Sequence, residues 1–394
     1  MYRAACALGL AVITEVGAAV ELPTSIQIHG FAQLNPVYTT ANNLFGETDD
    51  SLSLEFWELG INGSWRPTNN LLLSAQLASR RAGLEDNGAI RLDYGLLSYS
   101  FLDNPKSRAG IRVGRVLNPY GFYNETRDVA FTRTSILLPQ SIYFDRTRDV
   151  ALSSDGLQFF GQTRGSRGSF DLQVNVGMPR SDDDNRTERA ILGTDFPGVL
   201  KGQPSVLGRL MYERDAGRWR FAISSGSVQL DYSSNKPVDL LPDGEVAFQP
   251  LIFSAQYNAE KFSLTTEFGQ RIFKSSGFGR AKNTTTGESG YIEGVYRFTP
   301  QWEAFARYDT LVADRDDRDG KRFAAADRLG RSAHSRFAKD LALGVTWRVN
   351  KSLLFRAEYH YVDGTAWLPI ADNPDFTDWE QYWSIFAFQM AVRF

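Results

Sequence analysis

The chain is poor in the residues that carry most protein chemistry. Its 394 residues include one cysteine, Cys6, and three histidines, His29, His334 and His360. Cys6 stands too near Met1, with no apolar run before it, to be a lipid-attachment site. The rest of the chain has no thiol for a disulfide or a thiolate metal centre. None of the histidines lies near a nucleophile motif such as G-x-S-x-G, so base-plus-nucleophile catalysis has no candidate. No apolar run of about 18 residues follows the N-terminus, so no helical membrane span is available. Charge is nearly balanced, with 43 Lys and Arg against 46 Asp and Glu, which argues against a nucleic-acid partner. No enzyme, cofactor or metal site is expected.

What the chain has is alternation. Counting back by twos from the end gives Phe394, Val392, Met390, Phe388 and Phe386. Arg393, Ala391, Gln389, Ala387 and Ile385 form the other set. One face is large and apolar, and the other is mostly small or polar, as in a strand whose faces meet different solvents. The pattern recurs. Trp57, Leu59, Ile61, Gly63 and Trp65 oppose Glu58, Gly60, Asn62, Ser64 and Arg66. Phe170, Leu172, Val174, Val176 and Met178 oppose Asp171, Gln173 and Asn175. A soluble β-sandwich would alternate as well. The tryptophans decide between the two: Trp65, Trp219, Trp302 and Trp347 all stand beside short turns on the apolar face. A sandwich has no reason to keep them at one level, whereas a membrane interface does. Trp57 and Trp65 bracket a strand that, tilted, spans roughly 20 Å, close to the apolar band of a membrane barrel.

Turns set the strand count. Seven short turns are read at 67–70, 103–106, 165–168, 215–217, 258–261, 299–301 and 350–352. Eight longer connections are read at 38–51, 82–89, 117–154, 180–206, 228–246, 274–288, 312–336 and 363–381. Together they join about sixteen strands with both ends on the short-turn side. The expected fold is all-β, a closed antiparallel transmembrane barrel spanning 20–394 as one domain. Residues 1–19 have a short basic start, an apolar core and a small-residue end at Val16-Gly17-Ala18, the pattern of a cleaved export signal. Little chain separates that segment from the first strand near Ile26, which leaves no room for a plug domain.

The terminal aromatic strand, the turn alternation and the long connection 117–154 resemble those of the sixteen-stranded trimeric porins of the Gram-negative outer membrane. That resemblance implies a passive diffusion channel, a homotrimer, a setting of bilayer and lipopolysaccharide, and recognition of the Phe394 strand by the outer-membrane assembly machinery. It also implies that the third long loop folds into the barrel and sets a constriction. The loop's many apolar residues, among them Phe122, Ile136, Leu137, Leu138 and Ile142, fit a segment packed on the wall. Its charges are Glu125, Arg127, Asp128, Arg133, Asp145, Arg146, Arg148 and Asp149. Both signs interleave, unlike the acidic stretch of general porins. The nine lysines fall in loops, turns or strand ends. They form no cluster of the kind that phosphate-selective porins use, so phosphate is not assigned.

The polar face would line the interior. It carries Arg66, Arg80, Arg112, Arg209, Arg220, Arg271, Arg297, Arg307, Arg348 and Arg356, with Glu58, Glu267, Glu293 and Glu303 among its acids. In one reading the arginines pair with neighbouring acids and brace the wall. In the other, some stay unpaired and attract anions. The rival function is a non-channel barrel acting as receptor, adhesin or scaffold. The acidic runs around Asp182–Asp184 and Asp314–Asp319 read as solvated loop tips.

Overall fold

The computed structural model describes residues 25–181, 186–194, 196–327 and 329–394. The export segment 1–19 and the acids Asp182–Asp184 lie outside the described residues. Seventeen strand segments close into one antiparallel sheet. The first four are β1 (Ile26–Leu34), β2 (Val37–Thr39), β3 (Phe56–Thr68) and β4 (Leu71–Ala82). Next come β5 (Asp86–Asp103), β6 (Ser107–Leu117), β7 (Ser153–Gly165), β8 (Gly168–Pro179) and β9 (Val199–Arg214). Then follow β10 (Trp219–Ser233), β11 (Gly244–Asn258), β12 (Phe262–Gly277) and β13 (Arg280–Arg297). The last are β14 (Trp302–Val312), β15 (Phe337–Arg348), β16 (Leu353–Gly364) and β17 (Tyr382–Arg393). β1 and β2 both pair with β17 and are interrupted at Asn35-Pro36, where proline offers no N–H to the ladder. They are two halves of one stave, so the barrel has sixteen.

Closure follows from the ends. Phe394 and Gly30 exchange both backbone hydrogen bonds, at 3.0 and 3.2 Å. The Phe394 ring lies where a side chain on residue 30 would project, so a larger residue there would have to displace the ring. A closed ladder leaves no unpaired strand edge in hydrocarbon. The faces sort as alternation requires. Phe386, Phe388, Met390 and Val392 are exposed outward, while Ile385, Ala387, Gln389 and Ala391 are buried inward. Trp65, Trp219, Trp302 and Trp347 stay 40–47% exposed at the short-turn end. There Trp302 and Trp347 face each other in register, with ring centroids 5.5 Å apart.

All seven short turns lie where the sequence puts them. Two of the long connections nearly vanish, and two more, expected at 180–206 and 228–246, are shortened to 180–198 and 234–243 by longer strands. Between β12 and β13 the expected loop 274–288 is a hairpin tip of two residues, Phe278 and Gly279, with φ of 53° and 65°. Gly277 pairs with Arg280 across it. Positive φ at both positions suits the twist of a tight hairpin. The residues read as loop are strand rungs carried beyond the apolar band, where no face has to be greasy. The connection at 82–89 likewise shrinks to Gly83–Glu85. Three short helices lie in the remaining loops: α1 (Arg148–Leu152), α2 (Arg186–Leu192) and α3 (Lys321–Ala326).

The largest apolar core is inside the barrel and is built by loops. Leu44 and Phe45 come from the first long connection, Ile136 and Leu137 from the third, and Trp367 and Leu368 from the last. They pack on Val37, Phe56, Val362, Trp383 and Ile385 of the wall. Burying side chains of this size is worth about 1.5–3 kcal/mol each, enough to hold loops against a wall that also offers hydrogen bonds.

Candidate functional site

Segment 118–152 is tied to inward-facing side chains around most of the wall. Glu267 on β12 accepts from the Phe122 N–H at 3.1 Å and from the hydroxyls of Tyr143 at 2.6 Å and Tyr291 at 2.9 Å. Glu358 on β16 accepts from the N–H groups of Ile136 and Leu137. Arg307 on β14 donates to the Leu137 carbonyl and the Ser135 hydroxyl, both at 3.0 Å, and lies 3.3 Å from Glu293. Arg356 on β16 donates to the carbonyls of Ala130 at 2.9 Å and Arg133 at 2.6 Å. Thr134 donates to Glu293 at 2.6 Å. A loop with irregular backbone has many unpaired carbonyls and N–H groups, and the wall's charged side chains supply their partners.

Most of the expected site charges are therefore spent. Arg80 bridges Glu58 and the loop's Asp145, both at 2.8 Å. Arg209 pairs with Glu125 and donates to the Gly121 carbonyl at 2.8 Å. Arg220 pairs with Glu213 at 2.8 Å, and Arg348 with Glu303 at 2.8 Å. Within the loop, Arg148 pairs with Asp128 and lies 3.7 Å from Glu58. Arg127 reaches Asp145 at 3.5 Å, Arg133 lies 4.0 Å from Glu58, and Asp149 meets Arg186 of α2 at 3.0 Å. Burial disfavours the charge on Asp128 and Asp145, yet Arg148, Arg127 and Arg80 outweigh it and hold both carboxyls below their ordinary range. Burial brings the Arg127 guanidinium down to about 10, still cationic at neutral pH.

A second group of arginines has no carboxylate within ion-pair distance among the described residues. Arg66 is exposed by a short turn and donates to the Asn69 carbonyl at 3.4 Å. Arg297, near the same end, donates to Ser263 at 2.6 Å. Arg112 lies 4.7 Å over the Phe160 ring and bonds Gln158. Arg271 and Arg146 open into a cavity of about 1200 Å³ at the long-loop end. Six arginines line that cavity, and no carboxylate does among the described residues. Sequence reasoning missed it, because its walls come from five separate loops and the inner faces of several strands. The signal available was the set of basic residues at strand ends, such as Arg280 and Arg336.

No described cluster of His, Cys, Asp or Glu is arranged to hold a metal ion. His360 is enclosed between Asp340 at 2.9 Å and Glu358 at 3.3 Å, with no nucleophile beside it.

Known proteins fit this geometry. No curated protein matches the chain. Among solved structures it is similar to the outer-membrane channel DcaP of Acinetobacter baumannii, at 12% identity over 94% of this chain and 97% of that one, with a TM-score of 0.60. It is also similar to the OmpT outer-membrane protein of Vibrio cholerae in its trimer form, at 12% identity over 94% and 99%, with a TM-score of 0.57. An anion-selective porin from Comamonas acidovorans matches at 13% identity over 94% and 98%, with a TM-score of 0.56. Such identities speak for the fold alone. The model of the phosphate-selective porin O and P family matches residues 31–366, most of the chain. The sixteen-stave barrel and this match make the chain an outer-membrane channel rather than an enzyme, and it belongs to the phosphate-selective porin O and P family.

Proposed function

We propose that the channel passes small hydrophilic solutes by diffusion, prefers anions, and works as a homotrimer in a bilayer rimmed by lipopolysaccharide. The observation that carries the preference is the cavity at the long-loop end, with its arginines and no described carboxylate in its lining. In a low-dielectric funnel, fixed cations raise the local concentration of anions and exclude cations. Apart from Arg146, the charges of the inserted loop are paired and contribute shape more than field. Arg112 and Arg271 are the wall arginines that extend the field inward. The family's name does not extend to phosphate here, because the nine lysines sit apart in loops, turns and strand ends. Three barrels per unit agrees with the trimer form reported for OmpT.

Swelling of proteoliposomes tests the preference. Gluconate should enter faster than a cation of similar size such as glucosamine. Equal entry, or faster entry of glucosamine, would contradict the reading.

A further inference from the structure

The cavity at the long-loop end has a second property that a plain anion funnel does not need: its cations alternate with rings. Arg146 lies 5.4 Å over the Phe144 ring. One of its nitrogens reaches the Ala190 carbonyl at 3.2 Å, while its Nε is buried without a partner among the described residues. Arg271 and Phe273 stand two residues apart on β12 and so share its inner face. Beside them on β11, Pro250 and Phe248 are their register partners and also line the cavity. Arg336 enters from the loop before β15, and Arg280 from the hairpin tip. None of these four arginines has a carboxylate within 4 Å among the described residues.

Hydrated inorganic anions are satisfied by guanidinium groups and gain nothing from phenyl walls. A solute with an anionic head on a flat apolar body is satisfied by both. Its head takes the guanidinium fork in two parallel hydrogen bonds, and its ring displaces water from Phe144 and Phe273. The cavity is several times larger than such a solute and open to water, so binding is weak and transit follows. We propose that this cavity is a docking station for aromatic carboxylates, placed ahead of the inserted loop on the solute's path. The proposal rests on the channel reading and specifies which anions it favours.

Benzoate is the probe, with acetate and benzyl alcohol as controls for head and ring. Each is added on the long-loop side of channels reconstituted in a planar bilayer, and chloride current is recorded. Benzoate should reduce the current in a saturable way, while acetate and benzyl alcohol at the same concentration should not. Arg146→Gln combined with Arg271→Gln should raise the half-blocking concentration by about tenfold, the loss expected for charge-assisted hydrogen bonds. Phe273→Ala should raise it severalfold. Arg280→Gln, at an exposed position beside the hairpin tip, leaves the fold intact and should also weaken block. Equal block by acetate and benzoate, or block indifferent to both Phe273→Ala and Arg280→Gln, would overturn the aromatic station and leave the anion channel standing. A wild-type channel that passes potassium over chloride would instead remove the anion reading beneath it.

Discussion

Arg307 illustrates how a charged residue is used inside this barrel. It is fully buried, pairs with Glu293, and donates to the Ser135 hydroxyl and the Leu137 carbonyl. Its charge holds the loop and is not offered to solutes. Arg307→Met leaves Glu293 without its cation and the Leu137 carbonyl without its donor, at a cost of about 3–5 kcal/mol. The expected outcome is a loop that a protease cuts within 118–152, with noisier open-channel current. Resistance equal to wild type would contradict that role. Arg66→Gln, at an exposed position, should change stability by less than about 0.5 kcal/mol. The loop's ion pairs also set a pH window. Asp128 and Asp145 are held below the ordinary carboxylate value, so their pairs stabilise the folded loop fully above about pH 4. That stability is lost only as pH falls through the depressed folded values. Current should stay level from pH 7 to about pH 4 and change below that, whereas a step near pH 6 that survives Asp372→Ala would show that another group controls the loop.

Elements divide by how local their chemistry is. At the closing pair of β1 and β17 the Phe394 ring fills the space left by Gly30, so Gly30→Val should reduce the heat-modifiable folded barrel seen on gels, as removal of Phe394 should. Unchanged folding in both would mean closure does not depend on this contact. The loop ends are clasped by Asp372, whose carboxylate accepts from the N–H groups of Phe45 at 3.1 Å, Gly46 at 3.3 Å and Leu84 at 2.8 Å. Burial pushes its pKa up to about 6. Asp372→Ala leaves three N–H groups unpaired and should loosen the three loops by about 1–3 kcal/mol, read as faster amide exchange at residues 43–46. These distinctions explain what could be read from sequence. Short turns such as Asp103-Asn104-Pro105-Lys106 announce themselves through local backbone preference, and strand faces through period two. The hairpin tip at Phe278-Gly279 did not, because polar rungs beyond the membrane look like loop. The pairing of Arg209 with Glu125 did not either, since 84 residues separate a wall position from a loop position. Trp367 and Leu368 were visible as apolar residues in a loop, but nothing local said that they turn inward to meet Ile136.

At the scale of the molecule, a barrel wide enough for water is partly filled by three of its own loops, and the remaining open space at one end is lined by six arginines and by no carboxylate among the described residues. That arrangement makes charge selection a property of the cavity, to which the loop contributes Arg146 and the wall Arg271, more than of the loop's paired charges. The proposed homotrimer should migrate unheated as a species three times the chain's mass on a gel, and migration as a monomer would contradict it. The central claim is the sign of the selectivity. Channels reconstituted in a planar bilayer under a KCl gradient should reverse near the chloride equilibrium potential, and Arg146→Gln with Arg271→Gln should move the reversal toward zero. Reversal near the potassium equilibrium potential in the wild-type channel would contradict the account.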